Sequence, residues 1–350
     1  MNANPRNIWK RIFTFMVIIL IVFASAGGFW FYRIYFNPSV QTPDKKQDFL
    51  YIRTGTTMPE LMQQMADEKI ISDTSGFMVI AKLKKFTVPK PGRYRIKDGM
   101  NNRELVNLLR AGLQEKVSFT LNQIRTKEEL AGRVGAKLEA DSAQVIFLLN
   151  DAGYLSRYGM IPSTVMTLFI PDTYFFYWNT SAEQWFERMT QEYKKFWTEA
   201  RKAKARNMNL TQSEVVILAS IVESEQFRYP EERPLIAGLY LNRLKKNIRL
   251  QSDPTVIYAL GDFSIQRVSN ADLEVDSPYN TYKYAGLPPG PIRIPQQSSI
   301  DAVLNYQECD FIYMCADFET GKHKFSKEYD EHLKYAREYQ KALNKAEIKR

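Results

Sequence analysis

The chain has 350 residues, a formal net charge of +9 at pH 7 and 45% hydrophobic residues. This length allows two modest domains with a real core, and the hydrophobic content is that of a globular protein rather than a disordered one. The positive charge is spread along the chain without any nucleic-acid-binding motif, so it indicates a solvated basic surface and no nucleic-acid partner.

The first predicted element is a membrane-spanning helix. Residues 12–32 carry no charge and would span about 31 Å as a helix, enough to cross a bilayer. Basic residues precede them, which predicts a single pass over 12–33 with residues 1–11 in the cytoplasm. The alternative is a cleaved signal peptide, because residues 24–26 have the small-residue form of a cleavage site. The apolar run continues beyond that point, so we expect a retained anchor in the cytoplasmic (inner) membrane and the remaining chain on its outer side.

A small α/β pattern follows the anchor. Residues 37–47 are mostly polar and contain two prolines, which predicts a short linker over 34–47. Residues 48–115 then form a compact pattern of alternating strand and helix signals. The predicted strands and helices cover 49–52, 58–68, 74–84, 92–96 and 101–111.

A larger mixed region, residues 116–345, is predicted after this module. Helix and strand patterns alternate irregularly here, which favours an α+β fold. Aromatic residues at helical spacing predict one long helix over 181–206, and a second apolar pattern predicts a helix over 234–246. Further predicted elements are a strand over 117–121 and helices over 127–138 and 142–150.

The cysteines and histidines do not indicate a metal site. Cys309 and Cys315 lie in a stretch that reads as a strand, where six residues cover roughly 20 Å, too far for a disulfide. His323 and His332 are nine residues apart with no cysteine nearby, which is poor metal-ligand spacing. We therefore expect no metal and no cofactor.

Glu223 is the strongest catalytic candidate. It closes an apolar run over 215–222 that follows Thr211-Gln212-Ser213-Glu214, a capping-box pattern, so a buried helix is predicted. A carboxylate at the inner end of such a helix is costly unless it is paired or protonated. The partial negative charge of the helix C-terminus also favours the neutral acid, which can donate a proton. The alternative is that the helix simply emerges into solvent at this point.

Seven motifs follow one another along the chain: PGRYRIKDGMNNRELVNLLRAG, PDTYFF, LASIVESE, LNRL, LQSDPTVIYALG, SPYNTYKYAGLPPGPI and GKHKFSKEYDEH. In their residues and their order they resemble the YceG-like endolytic murein transglycosylases. The resemblance implies an N-terminal transmembrane helix, a small LysM-like module and a larger catalytic domain. Two stretches depart from the family pattern: the approach to PDTY, and the residues after GLPPGPI, where Arg293-Ile294-Pro295-Gln296 replaces the usual Asn-Pro-Gly.

The resemblance implies an enzyme that cuts nascent peptidoglycan strands internally, between N-acetylmuramic acid and N-acetylglucosamine, and so limits their elongation. It leaves 1,6-anhydro-muramic ends, because the 6-hydroxyl of the muramic acid attacks its own anomeric carbon. One glutamate can then serve as acid and afterwards as base. The resemblance puts this glutamate at Glu223 and its companion at Glu225, and it implies association with wall-synthesis enzymes such as penicillin-binding proteins.

Two other functions stay open. One is a muramidase that uses water and a second carboxylate. Glu225 is a poor partner for that role, because two positions along a helix turn the side chain by roughly 200°. The other is a membrane-tethered protein that binds the wall without cutting it. Polar turns rich in Tyr, Asn, Thr, Asp and Gln suit a sugar ligand, although turn or cap structure explains Asp253, Thr255 and Asn280 equally well. The candidates for substrate binding are Glu225, Gln251, Asp253, Thr255, Tyr279, Asn280, Thr281, Tyr282 and His323, the last being either a substrate contact or an exposed hairpin residue.

Overall fold

The chain folds into two compact units. The computed structural model describes residues 5–42 and 49–346, with side chains from residue 8 onward. The small unit comprises the residues up to Val117 together with Tyr177–Asn179. The large unit comprises Ser118–Phe176 and the residues from Thr180 onward. Helices and short antiparallel strand pairs are mixed in both, so the predicted α+β class is confirmed.

The N-terminal apolar helix, α1, covers Pro5–Phe36. Its stretch Ile8–Phe36 is long and apolar enough to cross a membrane, and the most apolar part of it is not buried against the rest of the protein. The predicted long apolar helix is therefore present, and it continues three residues beyond the predicted end at residue 33.

The small unit encloses its own core between two antiparallel strands and three helices. Strands β1 and β2 pair with Leu50 opposite Tyr94, and both side chains are fully buried. Asn101 caps the third of these helices: its side chain accepts a hydrogen bond from the Glu104 N–H at 2.9 Å. In return, the Glu104 carboxylate accepts a hydrogen bond from the Asn101 N–H. The elements are β1 (Phe49–Ile52), α2 (Met58–Asp67), α3 (Thr74–Leu83), β2 (Gly92–Arg95) and α4 (Asn102–Ala111).

The predicted polar linker over 34–47 is wrong in its first part, since this segment is packed into the small unit. The Asn102 side chain donates a hydrogen bond to the Ile34 carbonyl at 3.0 Å and accepts one from the Ser39 hydroxyl at 2.9 Å. Val40 is buried, and its N–H donates to the Met100 carbonyl at 2.9 Å. The chain therefore leaves α1 directly into the core of the small unit. Residues 43–48 lie outside the described residues.

The large unit is mostly helical and contains two strand pairs. Strand β3 pairs with β4, and β5 pairs antiparallel with β6. The elements are β3 (Lys116–Thr120), α5 (Lys127–Gly135), α6 (Ser142–Asn150), α7 (Ala152–Ser156), β4 (Thr173–Tyr177), α8 (Ala182–Phe196), α9 (Glu199–Asn207), α10 (Gln212–Glu225), α11 (Arg233–Lys245), α12 (Asp253–Leu260), α13 (Gln297–Leu304), β5 (Tyr313–Ala316), β6 (His323–Ser326) and α14 (Tyr329–Lys345).

Helix α10 lies at the centre of this unit. Every residue from Val215 to Glu223 is buried, and the helix packs against α11, α12 and α13. The predicted capping box is present: the Glu214 N–H donates to the Thr211 hydroxyl at 3.2 Å, and the Thr211 N–H donates to the Glu214 carboxylate at 2.7 Å. A helix with apolar residues on all faces is stable only inside a domain, so the sequence pattern and the central position agree.

The predicted long helix over 181–206 is in fact two helices. Helix α8 ends at Phe196, and Trp197 takes a non-helical backbone conformation with ψ of 72°. The Thr198 hydroxyl then accepts a hydrogen bond from the Arg201 N–H at 3.4 Å and caps α9. The run of buried aromatic residues ends at Trp197, and α9 beyond the break is rich in Ala, Lys and Arg, which are good helix formers, so the sequence pattern alone does not mark the break.

The strand predicted over 309–315 is shorter and lies later in the chain. Only Tyr313–Ala316 pairs with the neighbouring strand, and both cysteines are free. Cys309 lies outside the strand, and its carbonyl accepts a hydrogen bond at 2.6 Å from the Asn242 side chain on α11.

Candidate active site

The carboxylate of Glu223 is enclosed by donors. Its Oε2 atom accepts hydrogen bonds from the Gln296 N–H and from the Ser299 hydroxyl, both at 2.6 Å. The Nε atom of Arg293 lies 3.2 Å from Oε1, which makes an ion pair although the angle does not meet hydrogen-bond geometry. With 1% of its side chain exposed, Glu223 offers no surface to a polymeric substrate.

Arg233 extends the network around Glu223. Its Nη1 donates to the Ser299 hydroxyl at 2.9 Å, and its Nε donates to the Gln226 carbonyl at 2.8 Å. Arg233 is fully buried between α10, α11 and α13, and burial lowers its pKa, opposed by the charge of Glu223. These contacts join three helices and the segment that carries Arg293, so Glu223 has a structural role in this arrangement.

A cavity of about 870 Å³ lies beside the C-terminal end of α10. Residues of α11, β5 and α14 form its walls, together with the start of α12 and the loop over 267–270. Its volume is typical of a small-ligand site. Five of the predicted site residues line it: Glu225, Gln251, Asp253, Tyr282 and His323.

Glu225 presents its carboxyl group to this cavity. Its Oε1 atom accepts hydrogen bonds from the Tyr240 hydroxyl at 2.7 Å and from the Ser252 hydroxyl. Oε2 accepts no hydrogen bond from the part of the chain that the structure describes. Burial raises the pKa of Glu225, and the two hydroxyl donors oppose that rise without cancelling it. The result is a carboxyl group with one anchored oxygen and one oxygen free to meet a ligand.

Asp253 is a second carboxyl group in the same cavity. It is the first residue of α12, where the helix dipole favours a negative charge, and Pro254 follows it. The Tyr282 hydroxyl donates to Oδ1 at 2.5 Å. Asp253 is accessible to solvent, but the cavity walls remove part of the water around its carboxyl group. This desolvation raises the pKa of Asp253, and the hydrogen bond from Tyr282 opposes the rise. Burial and the neighbouring carboxylate also raise the pKa of Tyr282.

Gln251 lies in a strained turn that Arg243 holds in place. Gln251 has a φ of 53°, in the left-handed region that a residue with a side chain rarely adopts. Its side-chain oxygen accepts a hydrogen bond from Nη1 of Arg243 at 3.1 Å, and the same nitrogen donates to the carbonyls of Arg249 and Leu250. The turn that carries Gln251 is therefore fixed against α11.

His323 is a nearly buried residue with a carboxylate partner, not an exposed hairpin residue. Its side chain is 8% exposed, and Nδ1 lies 3.1 Å from the Glu232 carboxylate. The His323 N–H also donates to Glu232 at 3.2 Å, and the Gln226 amide donates to Glu232 at 2.8 Å. A proton on Nδ1 would leave Nε2 as the ring atom available to a ligand.

The remaining candidates support the cavity or lie away from it. Thr255 and Thr281 are buried, their hydroxyls are 2.8 Å apart, and the Thr281 hydroxyl accepts a bond from the Ser252 N–H at 3.0 Å. The Asn280 amide donates to the carbonyls of Leu273 and Val275, so it stabilises its own loop. Tyr279 packs against Tyr258, with ring centroids 4.7 Å apart, and does not line the cavity.

Several residues that shape this cavity were not among the candidates. They are Tyr240, Arg243, Ser252 and Glu232, which orient Glu225, Gln251 and His323. Tyr240 and Arg243 lie in a helix whose apolar spacing indicates only core packing, while Ser252 stands between two chosen residues. No three His, Cys, Asp or Glu side chains within residues 5–42 and 49–346 are grouped so as to hold a metal ion.

Comparisons with known proteins agree with one another. A model described as the YceG-like family matches residues 50–338. The endolytic murein transglycosylase of Bacillus subtilis (strain 168) is 28% identical over 334 residues, covering 91% of this chain and 92% of that protein. The protein of the same name from Streptococcus pneumoniae serotype 2 (strain D39) is 27% identical over 357 residues, covering 92% of this chain, which spans 64% of the pneumococcal protein's length.

A solved structure gives the same result for the fold. A yceG-like protein of Listeria monocytogenes is 30% identical in sequence and superimposes with a TM-score of 0.56. The match covers 82% of this chain and 97% of that one. Because the family model covers most of the sequence, the chain belongs to the YceG-like family.

Proposed function

We propose that this chain is a membrane-anchored endolytic murein transglycosylase and that Glu225, rather than Glu223, is its catalytic acid and base. The names of the B. subtilis and S. pneumoniae relatives support the reaction. The observation that carries the choice of residue is that Glu225 lines the large cavity, whereas Glu223 is enclosed by Arg293, Gln296 and Ser299.

In the first step the protonated Oε2 of Glu225 donates its proton to the glycosidic oxygen that leaves the muramic acid. A raised pKa keeps this carboxyl group protonated at a higher pH than usual, as a general acid requires. The hydroxyls of Tyr240 and Ser252 hold Oε1, so the proton-bearing oxygen is presented in one orientation. Cleavage of the bond develops positive charge at the anomeric carbon.

In the second step the 6-hydroxyl of the same muramic acid bonds to the anomeric carbon. The Glu225 carboxylate takes the hydroxyl proton and returns to its starting state. Because nucleophile and electrophile belong to one sugar ring, the step has the high effective concentration of a tethered reaction and needs neither a second carboxylate nor a cofactor. The Asp253 carboxylate, held by Tyr282, lines the same cavity and would stabilise the developing positive charge.

Asp253 also supports one alternative, a muramidase that uses water. Inverting and retaining glycosidases both need a second carboxyl group near the acid. Asp253 lies in the same cavity as Glu225 and could activate water or attack the sugar. The two mechanisms differ in their products, since water leaves a reducing end and the 6-hydroxyl leaves an anhydro end.

We extend the proposal to the placement of the enzyme. The basic residues Arg6, Lys10 and Arg11 precede the uncharged stretch of α1 and favour an amino terminus in the cytoplasm. The large unit, and the part of the small unit that follows α1, would then lie on the outer side of the cytoplasmic membrane. The small unit would act as a LysM-like module that contacts the wall. Glycan strands are the substrate, and enzymes of wall synthesis such as penicillin-binding proteins are the expected partners.

Product analysis tests this function. The full chain in detergent is incubated with purified glycan strands, and the products are separated and weighed by mass spectrometry. We expect internal fragments with 1,6-anhydro-muramic ends. Fragments heavier by one water molecule would support the muramidase, and uncut strands that co-sediment with the protein would support a binding role only.

A further inference from the structure

A second cavity, of about 600 Å³, lies in the large unit. Neighbouring residues of the chain line the two cavities. Ser224 lines the second and Glu225 the first; likewise Pro254 lines the second and Asp253 the first. Two separate segments of the chain thus each contribute one residue to the first cavity and a neighbouring residue to the second.

Two arginines and several aromatic rings form this second cavity. The Arg125 guanidinium lies over the Phe263 ring at 4.5 Å, and the Arg293 guanidinium lies over the Phe227 ring at 5.3 Å. Tyr258 also lines the cavity. Phe227 is 48% exposed and Phe263 is 38% exposed, so both rings offer apolar surface to a ligand.

The two guanidinium groups have unused hydrogen-bonding capacity. Arg293 makes its ion pair with Glu223 through Nε, and its terminal nitrogens donate to none of the described residues. The Arg125 side chain likewise donates to none of them. Glu129, the acidic residue of this cavity, already accepts from the Arg125 N–H at 2.9 Å and from Arg133 at 3.3 Å.

The electrostatics agree with an anion site. Burial lowers the pKa of Arg293; the charges of Glu223 and Glu129 oppose that effect, and the positive charge of Arg125 adds to it. The two cations are therefore close enough to repel one another. An anion between them would relieve this repulsion and could accept paired hydrogen bonds from either guanidinium.

We propose that the second cavity binds the carboxylate-bearing peptide attached to N-acetylmuramic acid, on the strand whose sugar chain is cut at Glu225. This inference rests on the proposed function. Peptidoglycan peptides combine carboxylates with short aliphatic side chains, which match two guanidiniums beside aromatic rings. The adjacent lining residues allow a muramic acid at Glu225 to place its peptide in the second cavity. Arg125 is thus a specificity residue and does not touch the reacting atoms.

The kinetic test uses two substrates and two variants of the full chain. Glycan strands with intact peptides are compared with strands stripped of peptide by an amidase. We expect wild type to have a lower KM for the peptide-bearing strands. Arg125→Gln should raise that KM about tenfold, the effect of losing ~1.4 kcal/mol of binding, with kcat unchanged and no effect on stripped strands. Arg206→Gln, an equal charge change at an exposed position on α9, should behave as wild type.

A binding test separates this inference from the proposed function. The free stem tetrapeptide is titrated into wild type, Arg125→Gln and Arg206→Gln by calorimetry. We expect binding that weakens about tenfold in Arg125→Gln alone, whether or not glycan is cut. Absence of peptide binding, an equal KM of wild type for both substrates, or an Arg125→Gln effect of the same size on stripped strands would each overturn the peptide site. Each of these results leaves the cleavage reaction itself untouched.

Discussion

Glu223 and Glu225 lie two residues apart at the end of α10, and their carboxylates have different surroundings. Glu223 pairs with Arg293 in a closed network, whereas Glu225 bonds to Tyr240 and Ser252 and lines a large cavity. Two positions on a helix separate side chains by roughly 200°, so the two carboxylates cannot serve the same site while the helix persists. We infer that the Glu223 carboxylate stabilises the fold and that the Glu225 carboxyl group takes part in the reaction.

Replacing Glu223 with glutamine should destabilise the large unit. The substitution leaves Arg293 and Arg233 buried without their counter-charge, which costs about 3 kcal/mol. In a unit of this size the thermal midpoint should fall by roughly 6–12 °C. The measurement is thermal unfolding of the full chain in one detergent, with Glu187→Gln on the exposed face of α8 as the matched control. An unchanged midpoint would show that the network around Glu223 contributes little.

Much of this arrangement could be predicted from the sequence, because it depends on local patterns. The capping box at Thr211 and the apolar run after it predict α10 correctly. The polar turns rich in Asp, Gln and Tyr predict a sugar-binding site, and the structure brings Gln251, Asp253 and Tyr282 together at one cavity, where sugar binding stays a prediction. These features follow from residue types at short spacing and need no knowledge of distant contacts.

The choice between the two glutamates could not be made from local patterns. The sequence predicts that their side chains diverge but not which side of α10 meets a cavity. Arg293 and Tyr240, the partners that distinguish them, lie far along the chain and reach α10 only through tertiary packing. The break before Thr198 is also not predicted from local patterns, because the residues on both sides of it are good helix formers.

Replacing Tyr240 with phenylalanine should shift the pH dependence of activity. The Tyr240 hydroxyl bond lowers the pKa of Glu225, so its loss should raise that pKa further. Activity needs the protonated acid and falls as the pH rises through this pKa, so the alkaline limb of the kcat/KM profile should move to higher pH. The control is Tyr339→Phe, because Tyr339 also lines the cavity but makes no hydrogen bond to Glu225. A limb that stays in place or moves to lower pH would contradict the assignment.

Replacing Asn102 with alanine should loosen the junction between the apolar helix and the small unit. The Ile34 carbonyl and the Ser39 hydroxyl would both lose their side-chain partner, at a cost of about 2 kcal/mol. Hydrogen exchange of the Ser39 and Val40 amides should then accelerate by roughly 30-fold. Gln63→Ala, an exposed change on α2, should leave these amides unaffected. Unaltered exchange in Asn102→Ala would mean that this junction is held by packing alone.

Replacing Glu225 with glutamine should stabilise the protein at neutral pH. The folded-state pKa of Glu225 is raised above the ordinary carboxyl value of 4.5, so the folded protein holds this proton more tightly than the unfolded chain. The favourable contribution is complete below 4.5 and is lost as the pH rises through the folded pKa. The thermal midpoint of Glu225→Gln should therefore match wild type in acid and exceed it at neutral pH. A variant that melts lower at neutral pH would contradict the raised pKa.

The central claim, that Glu225 and not Glu223 is the catalytic residue, is tested most directly by comparing the products of two variants. The formation of anhydro ends is measured for Glu225→Gln, Glu223→Gln and wild type at a temperature where all three are folded. We predict that Glu225→Gln forms no 1,6-anhydro-muramic products. Glu223→Gln should keep substantial activity, because its carboxyl group does not meet the substrate. Abundant anhydro products from Glu225→Gln, or their complete loss in a folded Glu223→Gln, would contradict the account.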